Sequence, residues 1–230
     1  MPTPDSALVI LTKAPEAGQS KTRLVPPLSF DEAADLARAL FIDQLQNLSH
    51  FTGARLFVAF TPSHAANFFT ALVPSQVSCF CQVGESLGDR MRHAFEHLFA
   101  GGFGRVVLIG GDLPVLPQAI LADAFASLAG EGGCVILGPS RDGGYYLVGM
   151  NEVLPDIFSG IGWGGGDVLA MTVKKLVTLK KKYKLMCLWY DIDTIGDLRR
   201  FALDVATGAV EVTKNTSALL QKLKHRGKLD

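Results

Sequence analysis

The chain has 230 residues, 48% of them hydrophobic, enough for one sizeable core in a single domain. Its 22 basic and 22 acidic residues cancel, so no global field favours nucleic acid or a membrane surface. No apolar run reaches the roughly 18 residues of a membrane span, and no charged segment followed by a long apolar one opens the sequence as a secretion signal would.

The first predicted strand covers 7–11. It runs into a loop, Thr12 to Leu24, that holds Lys13, Lys21 and Arg23 together with Gly18. In open α/β sheets, ligands bind at the carboxyl ends of strands. Three cations there offer fixed charge to phosphate oxygens, lysine as a point charge and arginine as a planar fork. Gly18 allows a tight turn or a close backbone approach. The loop is polar, so replacing Lys21 or Arg23 is expected to cost folding little. Without a ligand it reads as a solvated basic turn. Two phosphate motifs are excluded. Lys21-Thr22 would end a P-loop, but Pro15 and Ser20 stand at its two glycine positions. The dinucleotide fingerprint needs three glycines where this loop has Gly18.

Ser29 with Glu32 three residues on reads as a capping box, and Leu36, Leu40, Phe41 and Leu45 recur at helical spacing. Further strands are predicted at 55–60, 78–81, 105–109, 134–137, 145–149 and 185–189. Helices are predicted between them, at 63–72, 87–99, 118–128, 167–179 and 194–204. This alternation predicts an α/β fold, a mostly parallel sheet sandwiched by helices. The strand at 105–109 is apolar on both faces and belongs at the centre. One domain, 1–230, has its core at about 7–205. Lys180 to Lys184 reads as a solvated helix end, and the basic tail from Lys222 to Lys228 as a frayed terminus. Neither points to nucleic acid. Cys79, Cys81, Cys134 and Cys187 lack zinc spacing and read as buried free thiols of a reducing cytoplasm.

The acidic half of a site follows. The strand at 105–109 ends in Gly110-Gly111-Asp112-Leu113-Pro114, so Asp112 belongs at the same sheet edge as the first loop. A carboxylate there suits magnesium, which takes one or two carboxylates plus substrate phosphates. It is also an ordinary turn or N-cap residue. Asp191 and Asp193, two apart in an extended segment, face one side. One metal is then held by Asp112 with Asp191, Asp193 or both, unless Asp193 merely caps the helix that begins at Thr194. Asp142-Gly143-Gly144-Tyr145 reads as a hairpin turn, or as a glycine-lined wall for an acceptor that Asp142 or a tyrosine hydroxyl orients. Trp163, before three glycines, stacks on a substrate or covers the core edge. No nucleophile constellation competes. There is no G-x-S-x-G, and His93 to His97 lacks the glutamate after its first histidine that a zinc protease needs.

Together these motifs resemble the nucleotide-diphospho-sugar transferases of GT-A, Rossmann-like fold. The chain is most similar to the bacterial glycosyltransferase-A-like branch, also described as radical-SAM/selenodomain-associated transferases, which is itself similar to 2-phospholactate guanylyltransferase. The resemblance rests on Thr12–Pro15 with Gly18 and Lys21–Leu24, on Leu87–Met91, on Gly110–Pro114, on Gly138-Pro139 with Asp142–Leu147, on Trp163 and on Asp191–Thr194. It spans residues 8–198. It implies a nucleotide bound across Lys13, Gly18, Lys21, Arg23, Gly88 and Arg90, an acceptor at Asp142, Gly143, Gly144, Tyr145 and Trp163, and Mg2+ or Mn2+ on Asp112, Asp191 and Asp193. After Trp163 the relatives carry hydroxyl residues and proline where this chain has Gly164 to Gly166.

The expected activity is cytoplasmic and metal-dependent. A nucleotidyl group passes from a nucleoside triphosphate to a small phosphorylated or carboxylate acceptor, and pyrophosphate leaves. Lys21, Arg23 and the metal on Asp112 neutralise the charge at phosphorus. A glycosyltransferase using a nucleotide-sugar donor is the alternative. A nucleotide-binding or partner-binding module without turnover is the non-enzymatic one. No nucleic acid and no membrane is expected as a partner.

Overall fold

Both faces of β1 (Ser6–Lys13) are buried in the computed structural model, which describes residues 5–130 and 132–229. Leu8 and Ile10 enter one core, Ala7 and Val9 the other, as the period of two demands. Helices cover both faces, so the strand is apolar from Ala7 to Leu11. Seven strands form one sheet in the order β3 (Ser78–Cys81), β2 (Arg55–Thr61), β1, β4 (Arg105–Gly110), β6 (Tyr145–Met150), β5 (Cys134–Pro139), β7 (Lys182–Leu185). All pairs are parallel except those of β6 with β4 and β5. The mostly parallel α/β sheet is therefore the one the sequence predicts, with β4 central. Because β6 runs backwards, its first residue lies at the carboxyl edge of β4, and so does the turn joining β5 to β6.

One face is covered by α1 (Phe30–Ser49), α2 (Ala66–Leu72) and α4 (Gln118–Ser127), through Phe41, Phe69 and Phe125. The other is covered by α3 (Leu87–Ala100) and α5 (Val168–Thr178), through Met91, Phe95 and Leu176. Capping boxes start α1 at Ser29, α3 at Ser86 and α6 (Ile195–Ala206) at Thr194. The Thr194 cap pairs with Asp197, which leaves the Asp193 carboxylate outside the cap.

Three local expectations are corrected. The basic tail is not frayed. It forms α7 (Lys214–His225), whose Leu219, Leu220 and Leu223 pack with Leu36 and Leu40 of α1 and Phe201 of α6. Buried Asp43 of α1 accepts hydrogen bonds at the start of α7 from the Thr216 amide (3.1 Å), from Asn215 (3.0 Å) and from Thr213. The leucines sit at helical spacing among the lysines, and the lysines mask them to the eye. Second, the last strand is Lys182–Leu185, not 185–189. It is an exposed edge strand whose lysines discourage further pairing, and beyond it Trp189 makes a lone bridge to Ser140. Third, the four cysteines are free, but Cys187 is exposed and the others are half-buried. No helix among the described residues is long and apolar enough to cross a membrane.

Asp43→Ala is expected to lower stability by about 2–3 kcal/mol, the scale of hydrogen bonds to a charged group. That corresponds to a Tm drop of about 5–10 °C for a chain of this size. An unchanged Tm in a thermal scan would mean that α7 docks without this cap.

Candidate active site

A third apolar cluster positions the polar groups. Leu24 of the first loop and Ile192 of the segment after β7 are both fully buried in it, against α1, α6 and α7. Burying Leu24 holds the short helical turn Thr22–Leu24, and with it Lys21 and Arg23, at the carboxyl edge of β1. Burying Ile192 turns the flanking side chains of Asp191 and Asp193 the other way, into a cavity that both of them line. The Ile192 amide lies 3.4 Å from the Asp112 carbonyl. The basic loop, Asp112 and the acidic pair thus meet at one sheet edge.

Lys21 departs from the sequence expectation. Its side chain is 1% exposed. Its ammonium donates to the Ile192 carbonyl at 2.6 Å and lies 3.4 Å from Asp112 Oδ2. Its backbone is left-handed, φ 48°, a conformation rare outside glycine that collects at functional sites. Lys21 is therefore a buried bolt between the first loop and the acidic segment, not a solvated cation. Arg23 is the opposite case. It is 69% exposed and lies 3.6 Å from Asp193, free to swing toward an incoming anion. Lys13 closes the loop by donating to the Gln19 carbonyl at 2.9 Å, and Gly18 supplies its positive φ of 76°.

The acidic pair is strained electrostatically. Burial pushes the Asp191 carboxyl up to about 7, and the charges of Asp193, Asp142 and Asp112 push the same way against Lys21. Asp193 is raised too, again mainly by burial. Asp191 Oδ1 is buried with no hydrogen-bond partner, an orphaned hard oxygen of the kind a divalent cation satisfies. Among the described residues, no three His, Cys, Asp or Glu side chains are grouped closely enough to hold a metal by themselves. The donor chemistry fits magnesium, whose remaining positions are commonly filled by water and substrate phosphates.

Beside the pair opens a cavity of about 260 Å³, lined by Asp142, Gly144, Tyr145 and Trp163 among the expected acceptor residues. Asp142 shapes the turn by accepting from Ser140 and from the Gly144 amide (2.9 Å). Gly143 does not line the cavity. It has φ 88°, and a Cβ there would strike the Gly166 carbonyl, so it serves close packing of the turn against the next loop. Gly88 is likewise a packing glycine: a Cβ would meet the Trp163 ring at 2.7 Å. Arg90 donates to the Gly84 carbonyl at 3.1 Å and braces the loop before α3. The resemblance put the Leu87–Met91 segment at the nucleotide; the structure places Leu87 and Met91, with Val168, which sequence reasoning missed, in the cavity wall beside Tyr145 and Trp163. Leu87 lies inside the Ser86–Asp89 capping box and Met91 one turn on; the box marks where a helix begins but not what its first turns face.

The comparisons agree with this architecture. A family profile described as "Uncharacterized protein conserved in bacteria (DUF2064)" matches residues 44–165. The chain belongs to the DUF2064 family. A crystal structure from Desulfovibrio desulfuricans G20, provisionally described as a nucleotide-diphospho-sugar transferase, is 33% identical, with a TM-score of 0.89 over 97% of this chain and 96% of that one. The phosphoenolpyruvate guanylyltransferase of Mycobacterium leprae (strain Br4923) is 30% identical over 128 residues, 54% of this chain. The match spans 58% of that protein's length. A cytidylyltransferase from Leptospira borgpetersenii, 15% identical, shares the fold, with a TM-score of 0.57 over 98% of this chain and 96% of that one. The DUF2064 chain is thus a nucleotide-diphospho-sugar-transferase-like α/β protein, part of which is similar to a guanylyltransferase.

Proposed function

We propose that this protein is a cytoplasmic, magnesium-dependent nucleotidyltransferase. The observation that carries the reading is the orphaned, buried Asp191 carboxylate beside Asp193 and Asp112, at an adjoining cavity, with exposed Arg23 paired to Asp193 at 3.6 Å. The triphosphate lies along the first loop, over Lys13, Gly18 and Arg23, with Arg90 on its far side. Asp191 and Asp193, with Asp112 beside them, would hold Mg2+ (or Mn2+), and the cation would supply charge neutralisation at the phosphates. An oxygen of the acceptor attacks that phosphorus, the bond to the β-phosphate oxygen breaks, and pyrophosphate leaves. Arg23 offsets the charge that grows at phosphorus. Lys21 acts one step back, fixing the Asp191–Asp193 segment against the loop. The similarity to phosphoenolpyruvate guanylyltransferase supports guanosine triphosphate as the first donor to try.

The 33% identical structure keeps a glycosyl reading in view, since the same groups would hold the diphosphate of a nucleotide sugar. A panel separates the three outcomes. Pyrophosphate release from one of the four triphosphates supports nucleotidyl transfer. Nucleoside diphosphate release from a nucleotide sugar supports glycosyl transfer. Binding without either product leaves a binding module.

Arg23→Ala is expected to change Tm by no more than about 0.5 kcal/mol equivalent, because its side chain is exposed. The nucleotide KM should rise by about tenfold or more, the loss of one charge-assisted contact. Unchanged kinetics would remove Arg23 from the nucleotide site.

A further inference from the structure

The wall of the cavity contradicts itself as a seat for a small anion. Its charged lining residues, Asp142, Asp191 and Asp193, are all acidic, and no Lys, Arg or His lines it. Away from the cation proposed for Asp191 and Asp193, a phosphate or carboxylate inside would find no positively charged side chain among the described lining residues to pair it. Most of the remaining wall is apolar: Leu87, Met91, Leu108, Val148 and the rings of Tyr145 and Trp163. That wall is fixed. Trp163 lies over the bare Cα of Gly88, with ring centroids 6.4 Å from Tyr145 and 6.3 Å from Phe158. Exposed Arg23, which does not itself line the cavity, lies 3.6 Å from the lining residue Asp193.

We infer that the acceptor is amphiphilic: an uncharged apolar or aromatic body, of phenyl size or larger, fills the cavity, and its acidic reacting group stays at the mouth by Asp193 and Arg23. The inference rests on the reading of this cavity as the acceptor's side of the reaction. Apolar filling contributes about 25 cal/mol per Å² of area removed from water, so even one ring against Trp163 and Leu87 outweighs what a two-carbon acid can gain. The class of acceptor is therefore set by the body, not by the acid.

Binding tests this without turnover. Phenyl phosphate and 2-phosphoglycolate, which has no apolar body, are titrated into the full chain with Mg2+ by calorimetry and by tryptophan emission. Phenyl phosphate is expected to bind at least tenfold more tightly and to change the emission. Leu87→Lys, at a wall position 47% exposed, should cut that advantage by about tenfold, with Leu87→Gln intermediate. Circular dichroism confirms that both variants fold. Equal or tighter binding of 2-phosphoglycolate, no binding of phenyl phosphate, or its displacement by guanosine would each overturn the inference; displacement would make the cavity a base pocket. Phenyl phosphate binding with no pyrophosphate release from any triphosphate would refute the nucleotidyl reaction while supporting this cavity assignment.

Discussion

Replacing Asp191 with Asn is expected to stabilise the metal-free protein at pH 8 while lowering turnover by about 10²–10³-fold or more. The direction follows from the carboxyl, which burial raises to about 7 from an ordinary value of 3.8. An acid raised on folding holds its proton more tightly when folded. Its contribution to stability is full below the unfolded pKa and is lost as pH climbs through about 4 to 7. At pH 8 the native state carries a buried, unpartnered negative charge that asparagine removes, a gain on the order of 2–4 kcal/mol. At pH 4 the wild type is already protonated, and the two proteins should unfold at nearly the same temperature. Thermal scans in chelator at both pH values, with turnover measured separately in Mg2+, check both halves. A variant less stable than wild type at pH 8 would mean that Asp191 is a structural acceptor rather than a site held open at a cost.

Lys21→Ala should do the reverse, losing stability and turnover together. The substitution removes the 2.6 Å bond to the Ile192 carbonyl and the positive charge that opposes the rise of the Asp191 carboxyl. Its cost is on the order of 3 kcal/mol. Turnover falls because the acidic pair loses its register on the loop, and small misplacements at a reacting centre can cost about 10²-fold. Because Lys21 and Asp191 interact, the double variant Lys21→Ala with Asp191→Asn should recover part of the lost stability. Strict additivity, or a Tm for Lys21→Ala within error of wild type, would contradict the picture of a buried bolt.

The sheet was legible because burial on both faces writes itself as apolar runs, as in Val106 to Ile109, and because capping boxes announce helix starts. The placement of Asp112 followed from its position just after β4, whereas the acidic pair was placed at that edge from a strand expected at 185–189 that in fact ends at Leu185. What stayed hidden depended on burial set by distant elements. Nothing local says that Lys21 is 1% exposed, since its cover comes from a segment more than a hundred residues away. The docking of α7 depends on Asp43 of α1. The glycines were legible as special positions but not for what they avoid: Gly143 avoids a backbone carbonyl and Gly88 avoids an indole, neither of which has a local signature. The cavity's apolar wall was equally hidden, because Leu87 looks like any first-turn residue.

The most direct test of nucleotidyl transfer is phosphorus NMR of guanosine triphosphate incubated with wild-type protein, Mg2+ and phenyl phosphate, alongside Asp191→Asn. Nucleotidyl transfer predicts a growing pyrophosphate resonance and a new α-phosphorus resonance joined to the acceptor, both absent from the variant. The account is contradicted if the triphosphate stays intact with all four bases while a nucleotide sugar is turned over to nucleoside diphosphate, or if Asp191→Asn releases pyrophosphate as fast as wild type.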